Sequence, residues 1–317
     1  CGTRSENQKN LFHMSTTITR KDFRQIHFLK NLHLFPLDLM MRLFGKGIAS
    51  TIKGIITLIQ KTILVMLGMI GLFGCSKVDA LFENSRPVKN KTYDEAILED
   101  LPDPVQRYFR FALQDGQPYL SYLRLKHSGT FKTGPDKEWM EIHGEQYFTA
   151  RPPAFVWKGK TRMFRARDSY VEDQGNLSVY LFGLIRIVNE KGEKIDQAEL
   201  LRWLGESVWM PTNLLPDDHL RWSPIDEQTA KLTFTHNGIP VYYIVEFDRE
   251  GRIVRMETER YMDEQLEKWE GRVSDYRPHN GMMVPVSIEG SWLPGDGKYT
   301  YARFHVEEFE YDVPSAY

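Results

Sequence analysis

Beyond residue 119 the chain alternates apolar and polar positions with a period of two, the pattern of strands that bury one face. The alternation predicts strands at 121–133, 138–150, 153–166 and 176–188, then at 219–224, 228–236, 240–248, 252–262, 268–276, 283–293 and 299–311. These runs are rich in Tyr, Phe, Val and Thr. Gly134-Pro135-Asp136 and Arg151-Pro152-Pro153 punctuate them as turns, and Asn237-Gly238 and Arg249-Glu250-Gly251 read as hairpin turns. Two windows switch to helical spacing. In the first, Asp103 is a cap, Pro104 suits the first helical position, and Val105, Tyr108, Phe109 and Ala112 share a face that Gly116 closes off. In the second, Asp196 is the cap with Glu199 three residues on, and the helix runs to about Trp209, where Pro211 ends it.

Near-continuous hairpins leave no room for the crossover helices that parallel strands need. The expected fold class is therefore α+β: a strongly curved antiparallel sheet of about ten strands packed on two helices, preceded by an N-terminal hydrophobic helix.

That last helix comes from the uncharged run Thr62–Gly74, which follows Lys61 and stops at Cys75. Arg42, Lys46, Lys53 and Lys61 precede it with no acid among them, the charge sense of a segment whose N-terminal side stays in the cytoplasm. Leu72-Phe73-Gly74-Cys75 resembles the lipobox of bacterial lipoproteins, which implies cleavage before Cys75 and acylation of its thiol; Phe73 departs from that pattern. The alternative is an uncleaved anchor over 54–74, with Lys61 inside the membrane. The organisation read from the chain is a basic leader, 1–53, that need not belong to the native protein; a signal peptide or membrane anchor, 54–75; a polar tether, 76–92; and an antiparallel α+β domain, 93–317.

Net charge is −2 overall, but +7 over residues 1–75 and −9 over the remainder. An acidic domain argues against nucleic acid as partner. Apart from Cys75 the domain lacks cysteine, which excludes disulfides, thiol nucleophiles and cysteine-based metal sites there. The histidines lack metal-binding spacing, Asp217-Asp218-His219 reads as a turn, and phosphate-loop, dinucleotide and nucleophile-elbow motifs are missing. No cofactor or metal is expected.

The densest chemistry lies on the second helix, where Glu199, Arg202 and Glu206 fall on one face. They form either a polar lining, with Arg202 holding an anionic head group or Glu206 (or Glu199) acting as acid or base, or a solvated ion-pair ladder. Trp209-Met210-Pro211-Thr212-Asn213-Leu214-Leu215-Pro216 either gates a cavity or plugs one end of the sheet. Trp157, Trp222, Trp269, Trp292, Tyr170 and Tyr261 either line an apolar site or fill the core. Arg260 and Glu289 are placed to pair across neighbouring strands.

Leu101-Pro102-Asp103-Pro104-Val105-Gln106-Arg107-Tyr108, the segment Glu199–Pro216, Tyr261 and Gly281-Met282-Met283-Val284-Pro285 resemble a bacterial family, domain of unknown function 6544, over roughly residues 95 to 311. The resemblance implies a domain extent and one N-terminal hydrophobic segment, and no activity. The inferred sheet also resembles the half-barrel of periplasmic lipoprotein carriers, a likeness of fold. The preferred reading is an envelope protein, membrane-anchored with its domain outside the cytoplasm. It binds a lipid or other apolar small molecule without covalent chemistry, through Trp157, Arg202, Glu206, Trp209, Asn213, Leu214 and Tyr261. The alternatives are a hydrolase-like enzyme using Glu199 or Glu206, and a structural or assembly module of the envelope.

Overall fold

A computed structural model describes residues 77–262, 265–295 and 297–317. The leader, the apolar run and Cys75, with the acylation expected there, lie outside the described residues. Among the described residues thirteen strands form one curved, unclosed antiparallel sheet, accompanied by three α-helices. The strands are β1 (Tyr122–Phe131), β2 (Met140–Thr149), β3 (Ala154–Lys160), β4 (Phe164–Val171), β5 (Gln174–Leu181), β6 (Ile185–Glu190), β7 (Leu220–Pro224), β8 (Thr229–His236), β9 (Ile239–Phe247), β10 (Ile253–Met262), β11 (Gln265–His279), β12 (Met282–Trp292) and β13 (Tyr299–Tyr311). The helices are α1 (Lys77–Glu83), α2 (Asp103–Ala112) and α3 (Glu193–Glu206).

The strand order is β6-β5-β4-β3-β2-β1-β13-β12-β11-β10-β9-β8-β7. The sheet is thus two meanders that meet at the β1–β13 pair. One runs outward to the edge strand β6, and the other returns inward from the edge strand β7. Helix α3 joins the two edges. It packs on β3, β4 and β5 of one wing and on β9 and β10 of the other, so it lies across the inner face. Leu200, Leu201, Trp203 and Leu204 are buried there, each contributing about 1.5–3 kcal/mol of apolar burial. Trp203 stacks on Phe148 of β2 (ring centroids 5.7 Å apart) and leans on Phe234 of β8 (5.0 Å), spanning the two wings. Helix α2 buries Val105, Tyr108, Phe109 and Ala112, as its spacing predicts.

The excess of strands over expectation comes from two undetected turns. The run 153–166 is split between β3 and β4 at Thr161, whose Oγ1 accepts from the Met163 and Phe164 amides. The run 176–188 is split between β5 and β6, where Phe182 and Gly183 take φ of 50° and 72°. Glu172 and Asp173, between β4 and β5, do the same at 53° and 62°. Such turns usually advertise themselves with Asn-Gly or Asp-Gly, and neither pair is of that type. Helix α3 begins at Glu193, one turn before the expected start, because Asp196 accepts from the Gly175 amide (2.7 Å) and so ties the helix to β5 instead of capping it. Asp103 makes no side-chain cap either; it is the first residue of α2, where its charge suits the helix dipole. Residues 77–83, read as tether, are helix α1, with Val78 and Leu81 buried against Tyr147, Ala154 and Val156 on the outer face.

The inner face depends on missing side chains. Gly144 and Gly159 pair with each other, and Gly144 pairs with His127. A Cβ on Gly144 would sit 2.2 Å from Nε2 of His127, and one on Gly159 would sit 2.3 Å from Cη2 of Trp157. Both rings therefore lie flat over bare backbone, and the Trp157 indole N–H donates to His127 Nε2 (2.7 Å). An indole can only donate, so the imidazole is neutral; burial pushes its pKa down to about 4. Gly144→Ala should break this contact and lower unfolding free energy by about 1–3 kcal/mol. Gly134→Ala, which meets only the flexible Lys137 side chain, should change it by less than about 0.5 kcal/mol. Urea unfolding of both variants checks the contrast.

Candidate functional site

Glu199, Arg202 and Glu206 project from α3 into the β2–β4 wing rather than into solvent, which rules out the solvated ladder. The Arg202 guanidinium is held on three sides. Its Nη1 donates to Asp168 Oδ2 of β4 (2.6 Å), its Nε to Glu206 Oε1 (2.8 Å) and its Nη2 to Gln146 Oε1 of β2 (3.4 Å). Gln146 returns a bond from Nε2 to Glu206 Oε2 (2.7 Å). The guanidinium also lies over Phe155 and Trp157, at 5.0 and 5.1 Å from their ring centroids. Arg202 and Glu206 sit four apart on the helix, Trp157 and Asp168 sit opposite each other on β3 and β4, and Gln146 sits opposite Trp157. Pleat and helix periodicity bring all five side chains to one side.

A second arginine mirrors the first. Arg260 of β10 lies over Trp269 (5.2 Å) and Trp292 (6.0 Å), and its Nη2 reaches the Ala198 carbonyl of α3 (3.5 Å). The pair with Glu289 expected from sequence does not form. Strand β11 separates β10 from β12, and Glu289 pairs with Arg303 instead. Glu199 completes the cluster. It is buried, and its pKa is pushed up to about 8, first by burial and then by the nearby charge of Asp168. Asp168 is raised as well, by burial opposed by Arg202. Two guanidiniums balance three carboxyls when one carboxyl keeps its proton, and Glu199 is the one without an arginine hydrogen bond. Among the seven buried side-chain polar atoms without a partner in the described residues, three belong to this cluster: Asp168 Oδ1, Glu199 Oε2 and Arg260 Nε.

The remaining sequence candidates divide. Trp157 is in the cluster. Trp209, Asn213 and Leu214 are buried at the other end of α3 in short 3-10 turns. The Trp209 indole donates to the Pro285 carbonyl (3.0 Å), Asn213 Nδ2 to Ser207 Oγ (3.1 Å), and the Trp222 indole to the Leu214 carbonyl (2.9 Å). That segment is packed as a plug. Tyr261 stands near the β10 end with Lys194 over its ring (5.0 Å). Tyr170 is fully buried and unpartnered at its hydroxyl. Asp217 accepts from the His219 and Leu220 amides (2.8 Å each), a turn as expected. Sequence reasoning missed Asp168 and Gln146. Asp168 lies beyond the expected run 153–166, in the part of β4 that the alternation does not reach. Once β4 is placed, an acid at an inward position of the pleat is the available signal.

Among the described residues no group of three or more His, Cys, Asp or Glu side chains is arranged to hold a metal ion, and no helix is long and apolar enough to cross a membrane. No curated protein sequence matches the chain. Solved structures with a similar fold include a LolA superfamily protein from Nitrosomonas europaea, at 10% identity and TM-score 0.38, covering 65% of this chain and 91% of that one. A putative outer membrane lipoprotein-sorting protein domain from Vibrio parahaemolyticus aligns at 9% identity and TM-score 0.35, over 61% and 86%. A DUF1329 family protein from Desulfovibrio piger aligns at 9% and 0.38, over 62% and 88%. Residues 91–304 match a family of unknown function, DUF6544, and the chain belongs to that family.

Proposed function

We propose that this protein is a membrane-tethered envelope protein whose inner sheet face binds an amphipathic ligand without covalent chemistry. The observation that carries the reading is the set of unpartnered buried atoms, Asp168 Oδ1, Glu199 Oε2 and Arg260 Nε, gathered beside the indoles of Trp157, Trp269 and Trp292. Buried polar groups normally find partners, and leaving one unmade costs about 1–3 kcal/mol. A ligand head group carrying acceptors for Arg260 and protonated Glu199, with an apolar body against the indoles, removes that cost. The basic leader and the apolar run ending at Cys75 support the tether and a domain outside the cytoplasm.

A second reading rests on Glu199 alone. A carboxyl that titrates near pH 8 is poised as a general acid or base, with Arg202 and Arg260 available to steady developing negative charge. The two readings separate by experiment. Native mass spectrometry of the full chain, released from detergent after purification from its host membranes, should show a retained lipid-sized adduct. Arg260→Gln should weaken retention at least about tenfold, equivalent to about 1.4 kcal/mol. A bare wild-type chain, or equal retention in the variant, would reject the ligand reading. Turnover of an ester or glycoside panel that Glu199→Gln abolishes would favour the enzyme.

The raised pKa of Glu199 also dictates a pH dependence. Below about pH 4.5 both folded and unfolded chains hold this proton. Between there and about pH 8 the unfolded chain releases it while the folded one keeps it, so stability falls as pH rises. Glu199→Gln, a permanently neutral isostere, should match wild type at pH 5 and exceed it at pH 8.5, by an amount on the order of a few kcal/mol. Taking the difference between the two proteins cancels the opposite trend from His127, whose lowered pKa costs stability as pH falls below about 6.5. Equal denaturation midpoints across this range would show that Glu199 is ionised throughout.

A further inference from the structure

The outer face of the β1–β6 wing carries a feature unrelated to the inner cluster. A groove of about 610 Å3 crosses β1 to β5 there. Its walls are two register rows. One row is Lys126, Glu145, Lys158 and Arg167, each opposite the next on adjacent strands. The other is His143, Lys160, Arg165 and Tyr180. The pleat puts both rows on the side away from His127, Gly144, Gly159 and Ala166. Five Lys and Arg residues thus face one carboxylate, Glu145, in a domain whose balance is −9. Lys126 pairs with Glu308 and Lys158 with Glu145, whereas among the described residues no carboxylate lies within ion-pair distance of Lys160, Arg165 or Arg167. Burial first, and then the charges of Arg167 and Lys191, lower the pKa of Lys77.

Beside this groove the hairpin tips are apolar. Gly183 lines the groove, and its neighbours Phe182 and Leu184 are 65% and 86% exposed; Met163, whose carbonyl accepts from the Phe182 amide (2.7 Å), is 45% exposed. Helix α1 lies on the same face one row further along. Lys77 Nζ donates to Ser169 Oγ (3.1 Å) and Asn176 Oδ1 (3.3 Å), which pair with each other beside Arg167. The apolar run of the sequence ends at Gly74, three residues earlier. Three residues span at most about 10 Å.

We infer that the outer face of the β1–β6 wing docks on an anionic membrane surface, with lipid head-group phosphates against Lys160, Arg165 and Arg167 and with Met163, Phe182 and Leu184 entering the interfacial layer. The inference rests on the membrane-tether reading for the direction of approach, since the described domain begins at Lys77, held on this face, three residues after the apolar run. Charge supplies the rest. Basic side chains gather at anionic leaflets, and exposed aromatic and aliphatic tips suit the head-group layer. Docking on this side leaves the inner cluster facing away from the membrane that holds the chain.

The test is hydrogen–deuterium exchange of the full chain in vesicles of phosphatidylcholine alone and of phosphatidylcholine with about 30% phosphatidylglycerol. The expected result is exchange slowed at least about fivefold at 161–164 and 181–187 in the anionic vesicles only, and restored by about 0.5 M NaCl, where screening is nearly complete. The variant K160E/R165E/R167E, changed at exposed side chains, should lose the slowing. Leu184→Ser, which leaves the charges in place, should reduce it severalfold. Unchanged exchange in anionic vesicles, equal slowing in both lipids, or slowing that survives both high salt and the triple variant would overturn docking. The same slowing produced by inorganic phosphate on the chain in neutral detergent would also overturn it, in favour of a free-anion site. Flotation with phosphatidylcholine vesicles at high salt reads the tether separately. A chain that fails to float there, yet shows the anionic-lipid slowing, loses the tether and keeps the docking face.

Discussion

A single antiparallel layer of thirteen strands has one apolar face and no second sheet to cover it. Everything else in this protein follows from how that face is buried. Curvature turns the two wings toward each other, and the chain passes between the edge strands β6 and β7 through α3, so the connecting helix is also the core filler. Trp203 touches Phe148 of one wing and Phe234 of the other. With α2 and the plug after α3, this gives an open sheet a continuous core without closure. The outer face stays polar except where α1 sits on it.

Placing a helix across that face also brings its polar stripe inside. Arg202 is largely screened from water on this side of α3, and Asp168, Glu206 and Gln146 of the sheet and helix accept from its guanidinium. Removing one partner from such a buried network would expose the others to an unpaired charge, which costs more than the pair contributes. The cluster is therefore a constraint on the sequence whether or not it binds anything. What stability does not explain is the incompleteness of the cluster. A purely structural network would be expected to pair its buried atoms, and here three remain open around Glu199 and Arg260. The two arginines stand on matching platforms, Trp157 over Gly159 and Trp269 over Gly271, one in each wing. The inner surface is thus cationic and aromatic at two stations, and the outer surface of one wing is cationic with apolar tips. These two surfaces face opposite sides of one layer.

Much of this was written in local pattern. The antiparallel class, the central strands and the buried face of α2 follow from periodicity and from turns with ordinary residues. The turns at Thr161 and Phe182-Gly183 were not legible, because a threonine hydroxyl closes the first and a phenylalanine, which seldom adopts positive φ, opens the second, and the strand count fell short for that reason. The grouping of Glu199, Arg202 and Glu206 was visible at helical spacing, but whether the stripe faced water or the core was not. Asp168 and Gln146 belong to other elements, and their partnership with Arg202 exists only through strand register. The basic groove was likewise invisible: its residues are dispersed over five strands and sit in an acidic domain, where composition points the other way.

The sequence by itself determined periods, turns and the character of each segment, because those depend on neighbours within a few residues. It also set the apolar run, with basic residues before it and Cys75 after it, as a local signal of address. Tertiary structure alone decided which side of each element met which other element. The sign of the field on the outer wing, the proton kept by Glu199 and the indole platforms over glycine all arise from groups far apart in the chain and a few ångströms apart in space. Coulomb and desolvation energies depend on that spatial distance, and no local pattern carries it.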